Sequence, residues 1–184
     1  MTSTTAPALR PDPLTGSWTV DPDKSLITFT TKAMWVVKVT GTLRATEGTG
    51  SVDTDGSVRG TLVFDAATVD TKNTKRDAHL RTGDFFDVAN HPVITFTVTG
   101  GHPSCPGQIR IEGTLAMHGV TKDITALTTV AVHGDSATAS TELDIDRSEW
   151  GLGWAKMGAG LANHVVVRAA LVRVAADPNG VQAG

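Results

Sequence analysis

The sequence has few residues that could form cross-links or membrane spans. Cys105 is its only cysteine, so an intramolecular disulfide and a cysteine-based zinc site are both excluded. No apolar run is long enough to cross a bilayer, and we predict no membrane span. The N-terminal segment lacks the apolar stretch of a secretory signal, and we therefore expect a cytoplasmic protein.

An excess of positive charge is also missing. Lysine and arginine total 16 against 19 aspartates and glutamates, which gives a net charge of −3. This balance gives no support to nucleic-acid binding, which requires a basic face. With 40% hydrophobic and 19% charged residues in 184 positions, the composition is that of one globular domain with tails.

Motifs of enzyme active sites are absent as well. The sequence has no Gly-x-Ser-x-Gly elbow, no His-Glu-x-x-His and no phosphate-binding loop. Asp77 and His79 are two positions apart, so on a helix they would point in different directions. A metal site would need histidines such as His91 and His118 brought together from distant loops. We therefore expect a protein without catalytic residues, cofactor or metal, and a hydrolase that uses His79 and Asp77 is the less favoured alternative.

Short segments with alternating apolar and polar residues run through most of the chain. One long segment, residues 25–43, places Ile27 and Phe29 on one parity, and we expect a bend or bulge near residues 32–35. Residues 108–119 alternate cleanly, and a turn at His118 and Gly119 is predicted to join them to the next segment. A period of two indicates strands that are buried on one face.

One segment interrupts this pattern with good helix formers. We predict a helix of about two turns from Lys75 to Thr82, with Gly83 as a stop signal. Residues 1–15 are predicted to be a disordered tail, residues 16–175 one domain, and residues 176–184 a flexible tail. Several strands with one helix predict an all-β fold, either a closed antiparallel barrel or a sandwich.

Six motifs in a fixed order carry a resemblance to a known family. They are WTVDPDKSLITF (18–29), VKVTG (37–41), TKRDAHLRTGDFFD (74–87), HPVITF (91–96), GTLAMHGVTK (113–122) and DRSEWG (146–151). As an ordered set, they resemble the YceI family of polyisoprenoid-binding, lipocalin-like barrel proteins. The resemblance implies an eight-stranded antiparallel barrel, with the short helix closing one end and a long amphiphile inside. The family often has histidine where Lys24 stands, so the ligand of this chain can differ.

The resemblance also indicates which apolar residues would line the barrel and its mouth. For any one of them, packing in a filled core is an equally good interpretation. The predicted ligand-binding residues are Phe29, Trp35, Val37, Phe64, Phe85, Phe86, Phe96, Leu115, Met117, Trp150 and Trp154. The Gly-rich, apolar residues 151–164 could be a mobile lid at the mouth or a plain connection, and both interpretations stay open.

The charged stretch RDAHLRTGDFFD (76–87) is interpreted as a structural clasp. We expect arginine–carboxylate bonds between it and the DRSEWG motif, with Phe85 and Phe86 anchoring the helix in the barrel. The predicted clasp residues are Arg76, Asp77, His79, Asp146 and Arg147.

The function predicted from these observations is non-enzymatic. We expect the protein to carry or sequester a polyisoprenoid, a quinone-like molecule or a fatty lipid inside the barrel. The alternative is an interaction or stress scaffold that has no ligand. Members of the family form dimers, so the resemblance also implies a possible homodimer.

Overall fold

The computed structural model describes residues 13–34 and 36–175, without the side chain of Met157. The predicted tail at residues 176–184 and most of the tail at residues 1–15 lie outside this range. The strands are β1 (Gly16–Ala33), β2 (Val37–Val52), β3 (Val58–Asp70), β4 (Val93–Cys105), β5 (Gln108–Met117), β6 (Val120–His133), β7 (Ser136–Asp146) and β8 (Ala162–Arg173). Helix α1 is Thr74–Leu80, and two 3-10 helices cover Arg147–Trp150 and Lys156–Gly158.

The eight strands form a closed antiparallel barrel. Each strand pairs with the next one, and β8 pairs back with β1, where Phe29 lies opposite Val165. Closure leaves no sheet edge unpaired along the body of the barrel. The predicted eight-stranded antiparallel barrel with one short helix is therefore confirmed, and the sandwich is excluded.

The segment predicted as one long bent strand is a hairpin. It reverses between Ala33 and Val37, which lie opposite each other, and Met34 takes a left-handed φ of 47°. The end of this hairpin has two strands only, because β2 begins to pair with β3 at Thr42. Val37 is therefore 42% exposed, although Val39 on the same parity is buried. The prediction that Val37 lines the barrel is wrong for this reason.

The turn between β5 and β6 is the one predicted from the sequence. Its two residues, His118 and Gly119, have φ values of 52° and 75°. A two-residue hairpin loop with both φ values positive matches the right-handed twist of the strands. The predicted turn is confirmed.

Helix α1 begins one residue earlier and ends two residues earlier than predicted. The side chain of Asn73 caps its N-terminus by accepting from the backbone N–H of Arg76. After Leu80 the α-helical bonds give way to a tighter turn, in which Thr82 donates its N–H to the carbonyl of His79 three residues earlier. Arg81 donates to the carbonyls of Ala67 and Val69, which attaches the helix to the end of β3.

One glycine marks a close approach of two strands. A Cβ atom on Gly113 in β5 would lie 1.9 Å from the carbonyl oxygen of Thr97 in β4. Because that neighbour is backbone, it cannot move aside without disturbing the hydrogen-bonded ladder. Gly100, on β4, has open space instead, since its nearest atom would be a carboxylate oxygen of Glu112 at 3.9 Å.

We predict that Gly113→Ala lowers the free energy of unfolding by about 2–4 kcal/mol, as expected for forced overpacking. Gly100→Ala is the matched control and should change it by less than about 0.5 kcal/mol. Urea unfolding followed by tryptophan fluorescence measures both values. Equal effects of the two substitutions would contradict this account of the strand packing.

Candidate functional site

Four connections meet at one end of the barrel. They are the β1–β2 turn, residues 71–92 with α1, the β5–β6 turn, and residues 147–161 with both 3-10 helices. In an up-and-down barrel, alternate connections lie at the same end. This end therefore carries all the long connections, while the opposite end has only short turns and the entry and exit of the chain.

A cavity of about 560 Å³ lies inside this end of the barrel. Its volume is within the range of pockets that take a small organic ligand. Eight of the predicted residues line it, namely Phe29, Phe64, Phe85, Phe86, Phe96, Leu115, Met117 and Trp154. Apolar side chains that were not predicted complete the wall, among them Ile27, Val39, Leu43, Ile94, Leu143, Ile145 and Val165. The structure thus brings most of the predicted site residues together, around space instead of in a filled core.

Trp150 does not line this cavity, and its prediction as a lining residue is wrong. It is 3% exposed, and its indole N–H donates to the carbonyl of Leu115 at 2.9 Å. A buried indole needs such an acceptor, and the wall of the barrel supplies it. Trp35, which was also predicted to line the barrel, lies outside the described residues.

A smaller cavity of about 150 Å³ lies at the opposite end of the barrel. Trp18, Val58 and Leu171 are among its lining residues. Phe96 and Val167 border both cavities, and both side chains are buried. These two residues therefore lie between the two spaces.

Cationic side chains stand at the mouth of the large cavity. Lys32, Lys75 and Lys156 border it and are exposed, whereas the body of the wall is apolar. No aspartate or glutamate is among the described residues that line this cavity. Sequence analysis missed this set because the three lysines are 43 or more positions apart along the chain. The mouth thus carries exposed positive charge, and the interior is apolar apart from buried or half-buried groups such as Arg147 and Arg76, which also border the cavity.

The first half of the predicted clasp is a local network. The buried carboxylate of Asp77 accepts from the backbone N–H and the hydroxyl of Thr71, at 2.9 and 2.5 Å. Arg76 donates to the same hydroxyl and to the carbonyl of Thr71, at 2.7 and 2.8 Å. These bonds fix the start of α1 against the end of β3. They do not reach the second motif.

The second half depends on Arg147, whose guanidinium is buried. It donates to the carbonyls of Gly160 at 3.0 Å, of Trp154 at 2.5 Å and of Leu152. Burial lowers the pKa of Arg147, but a guanidinium stays protonated at neutral pH. The expected arginine–carboxylate bonds between the two motifs are therefore wrong, because backbone carbonyls already occupy the donors of Arg147.

The two motifs meet through an aromatic ring instead. The guanidinium of Arg147 lies 5.1 Å from the centre of the Phe85 ring, within cation–π distance. Asp146 acts locally by capping the 3-10 helix, where it accepts from the N–H and hydroxyl of Ser148. The Ser148 hydroxyl, followed by its backbone N–H, holds the pKa of Asp146 below its ordinary value.

His79 belongs to the cavity wall and forms no pair with Asp77. Its Nε2 atom lies 3.0 Å from a carboxylate oxygen of Asp84. Its ring makes edge contacts with Phe85 and Trp154, at centroid distances of 5.2 and 4.9 Å. The arrangement that the hydrolase alternative needs is absent, since Asp77 is bonded to Thr71 and His79 to Asp84.

Closed eight-stranded barrels form a class whose interior is either filled by side chains or open to one small ligand, and here it contains an apolar cavity. Within this class, residues 18–173 match the model of the YceI-like domain. The chain therefore belongs to the YceI family. None of the helices in the described part of the chain has the length and apolarity needed to cross a membrane.

Curated relatives match shorter parts of the chain. A UPF0312 protein of Vibrio vulnificus is 39% identical over 64 residues, which are 35% of this chain and 34% of that protein. Protein YceI of Escherichia coli O6:H1 is 33% identical over 97 residues, which are 52% of this chain and 50% of that protein. The aligned parts thus span half or less of the length of these relatives.

Solved structures resemble the whole barrel. BcnA of Burkholderia cenocepacia has a TM-score of 0.70 and 22% identity, covering 84% of this chain and 99% of that one. A polyisoprenoid-binding domain from Saccharophagus degradans has a TM-score of 0.67 and 19% identity, covering 85% of this chain and 98% of that one. At these identities the likeness shows the fold.

We predict that Arg147 couples energetically to Phe85 and not to Asp77. Arg147→Met should cost about 2–4 kcal/mol, because buried carbonyls lose a charged donor. In a double-mutant cycle, Arg147→Met and Phe85→Leu should show a coupling of about 0.5–1 kcal/mol. The control cycle of Arg147→Met with Asp77→Asn should be additive within about 0.5 kcal/mol. Urea unfolding supplies all the values, and the reverse ranking of the two couplings would contradict the observed contacts.

Proposed function

We propose that the protein binds one long apolar molecule with a compact polar head, its chain in the large cavity and its head at the mouth. The observation that carries this proposal is an apolar cavity of about 560 Å³ inside a closed barrel. A scaffold that binds no ligand needs only a filled core, because protein interiors are normally close-packed. It would have no use for internal space of this size. The cavity therefore favours binding over the scaffold alternative.

The energy available from such a cavity is sufficient for useful affinity. Burying one five-carbon isoprene unit contributes on the order of 3–4 kcal/mol, at about 0.8 kcal/mol per methylene. A few units would exceed the cost of lost motion, which is about 4–15 kcal/mol for association. A polyisoprenoid suits the site, and so does a quinone-like molecule or fatty lipid of similar length.

Two further observations bear on the kind of ligand. The Saccharophagus degradans domain, which shares the barrel, is described as polyisoprenoid-binding. The mouth of the cavity carries Lys32, Lys75 and Lys156, whose charge favours an acidic or strongly polar head. We propose carriage or sequestration of such a lipid, without catalysis, as the role of the chain.

Cytoplasmic location and a homodimer also stay proposals. Cell fractionation tests the location, and light scattering on the purified protein tests the dimer. Neither is needed for binding, because one chain closes the barrel and encloses the cavity by itself.

We predict that Val39→Phe weakens binding of geranylgeraniol at least tenfold. Val39 is buried and lines the cavity, so the added ring takes volume from the ligand. Val93→Phe is the matched control, since Val93 is 47% exposed and is not among the lining residues. Calorimetric titration measures the affinities, and thermal unfolding verifies that both variants are folded. Unchanged affinity of Val39→Phe would place the ligand elsewhere.

We also predict that Phe96 limits the length of the bound chain. Phe96→Val should connect the two cavities and shift the preference from farnesol towards solanesol, at a cost in stability of about 2 kcal/mol. Phe64→Val is the control, because Phe64 lines the large cavity but not the small one. Competition binding with alcohols of increasing length gives the preference. A shift of equal size in the control would show that added volume alone, without connection of the cavities, is responsible.

A further inference from the structure

Three side chains of types that bind metal ions meet at the end of the barrel that carries the long connections. Asp87 and His91 belong to the connection between α1 and β4, and His118 belongs to the β5–β6 turn. One ligand atom from each lies within 4.8 Å of the other two, and all three residues are half-buried. The two imidazole rings are 5.0 Å apart at their centres. Asp87, His91 and His118 are not among the residues that line the large cavity.

The three side chains do not bond to each other. In the described residues, no ion pair or hydrogen bond joins the side chain of Asp87 to either imidazole, and none engages the ring of His91. The carboxylate of Asp87 accepts one hydrogen bond, from the side-chain amide of Asn90 at 2.9 Å, and its other oxygen stays available. The group therefore presents lone pairs to a common space instead of satisfying them internally.

The tautomer of the neutral His118 ring is set by its neighbour. Its Nδ1 atom lies 3.2 Å from the carbonyl oxygen of Trp150. Because a carbonyl only accepts, Nδ1 carries the proton and Nε2 keeps a lone pair. Histidines that bind metals commonly donate their other ring N–H to a carbonyl in this way. The acceptor is itself held in place, since Trp150 donates to Leu115.

The backbone around the three side chains holds them in position. Asp87 has a left-handed φ of 48°, and its carbonyl accepts from the N–H of His91 at 2.8 Å. Both imidazoles rest against glycines. A Cβ atom on Gly119 would lie 2.8 Å from the ring of His91, and one on Gly151 would lie 3.2 Å from the ring of His118.

We propose that Asp87, His91 and His118 form a binding site for a divalent transition-metal ion of the zinc class. Two imidazoles and one carboxylate, with a water in the fourth position, are an established ligand set for zinc. Tetrahedral bonds of about 2.0–2.1 Å require ligand atoms roughly 3.4 Å apart. Binding therefore draws the three side chains inward by about 1 Å, which rotation of half-buried side chains allows.

An ion at this site would connect three of the segments at this end of the barrel. It would join the α1–β4 connection to the β5–β6 turn directly. Through the bond of His118 to the carbonyl of Trp150, it would also reach the connection that contains Leu152 and Trp154. Because both of these residues line the large cavity, the ion would hold the cavity wall in place. This role does not depend on the identity of the lipid or on lipid binding.

The test is titration of the full, untagged protein with Co²⁺ and Zn²⁺ after treatment with a chelator. We expect one Co²⁺ per chain with the visible absorption of a tetrahedral site, displacement of Co²⁺ by Zn²⁺, and a higher melting temperature with Zn²⁺. His91→Ala and Asp87→Asn should each lower the affinity at least tenfold and remove the rise in melting temperature.

His133→Ala is the matched control, because His133 is exposed at the opposite end of the barrel. It should bind Co²⁺ as the unaltered protein does. Absence of stoichiometric Co²⁺ binding would overturn the proposal, and so would binding that His91→Ala and Asp87→Asn leave unchanged. If His91→Ala fails to fold, His91→Gln provides the same test with less loss of volume.

Discussion

The hydrogen bonds between β8 and β1 are the constraint on which the rest of the structure depends. They close the sheet, so that one face of every strand points to a common interior. In an eight-stranded barrel this interior is just wide enough for side chains or for one small ligand. Here the side chains leave two spaces, divided by Phe96 and Val167. The cavity is therefore a consequence of closure together with the choice of inward-facing residues.

Closure also determines where polar chemistry can occur. The walls use their backbone groups in the ladder, so the long connections at one end must satisfy their own carbonyls. Arg147 does this for residues 152, 154 and 160, and Arg76 does it for Thr71 just before α1, where Asp77 accepts from the Thr71 N–H. Both networks hold the long connections at this end of the barrel in position. The aromatic contact of Arg147 with Phe85 joins the second network to the cavity wall.

Alternating apolar residues and the order of the motifs were sufficient to predict the barrel, the helix and eight residues of the cavity wall. Phe29, Phe96 and Leu115 could be found because inward parity is visible in the sequence. Val37 has the same parity but lies where β2 has lost its second neighbour, and only the register reveals this. Trp150 was misplaced because its position depends on one hydrogen bond to a distant carbonyl.

The polar contacts could not be predicted, since the partners of Arg147 are backbone carbonyls that any residue would supply. The account as a whole depends on whether the cavity holds a lipid. The most direct measurement is mass spectrometry of the organic extract from the purified protein. We predict one long-chain isoprenoid or fatty lipid per chain, reduced in the Val39→Phe variant. An empty extract, together with no uptake of added geranylgeraniol, would contradict the central claim.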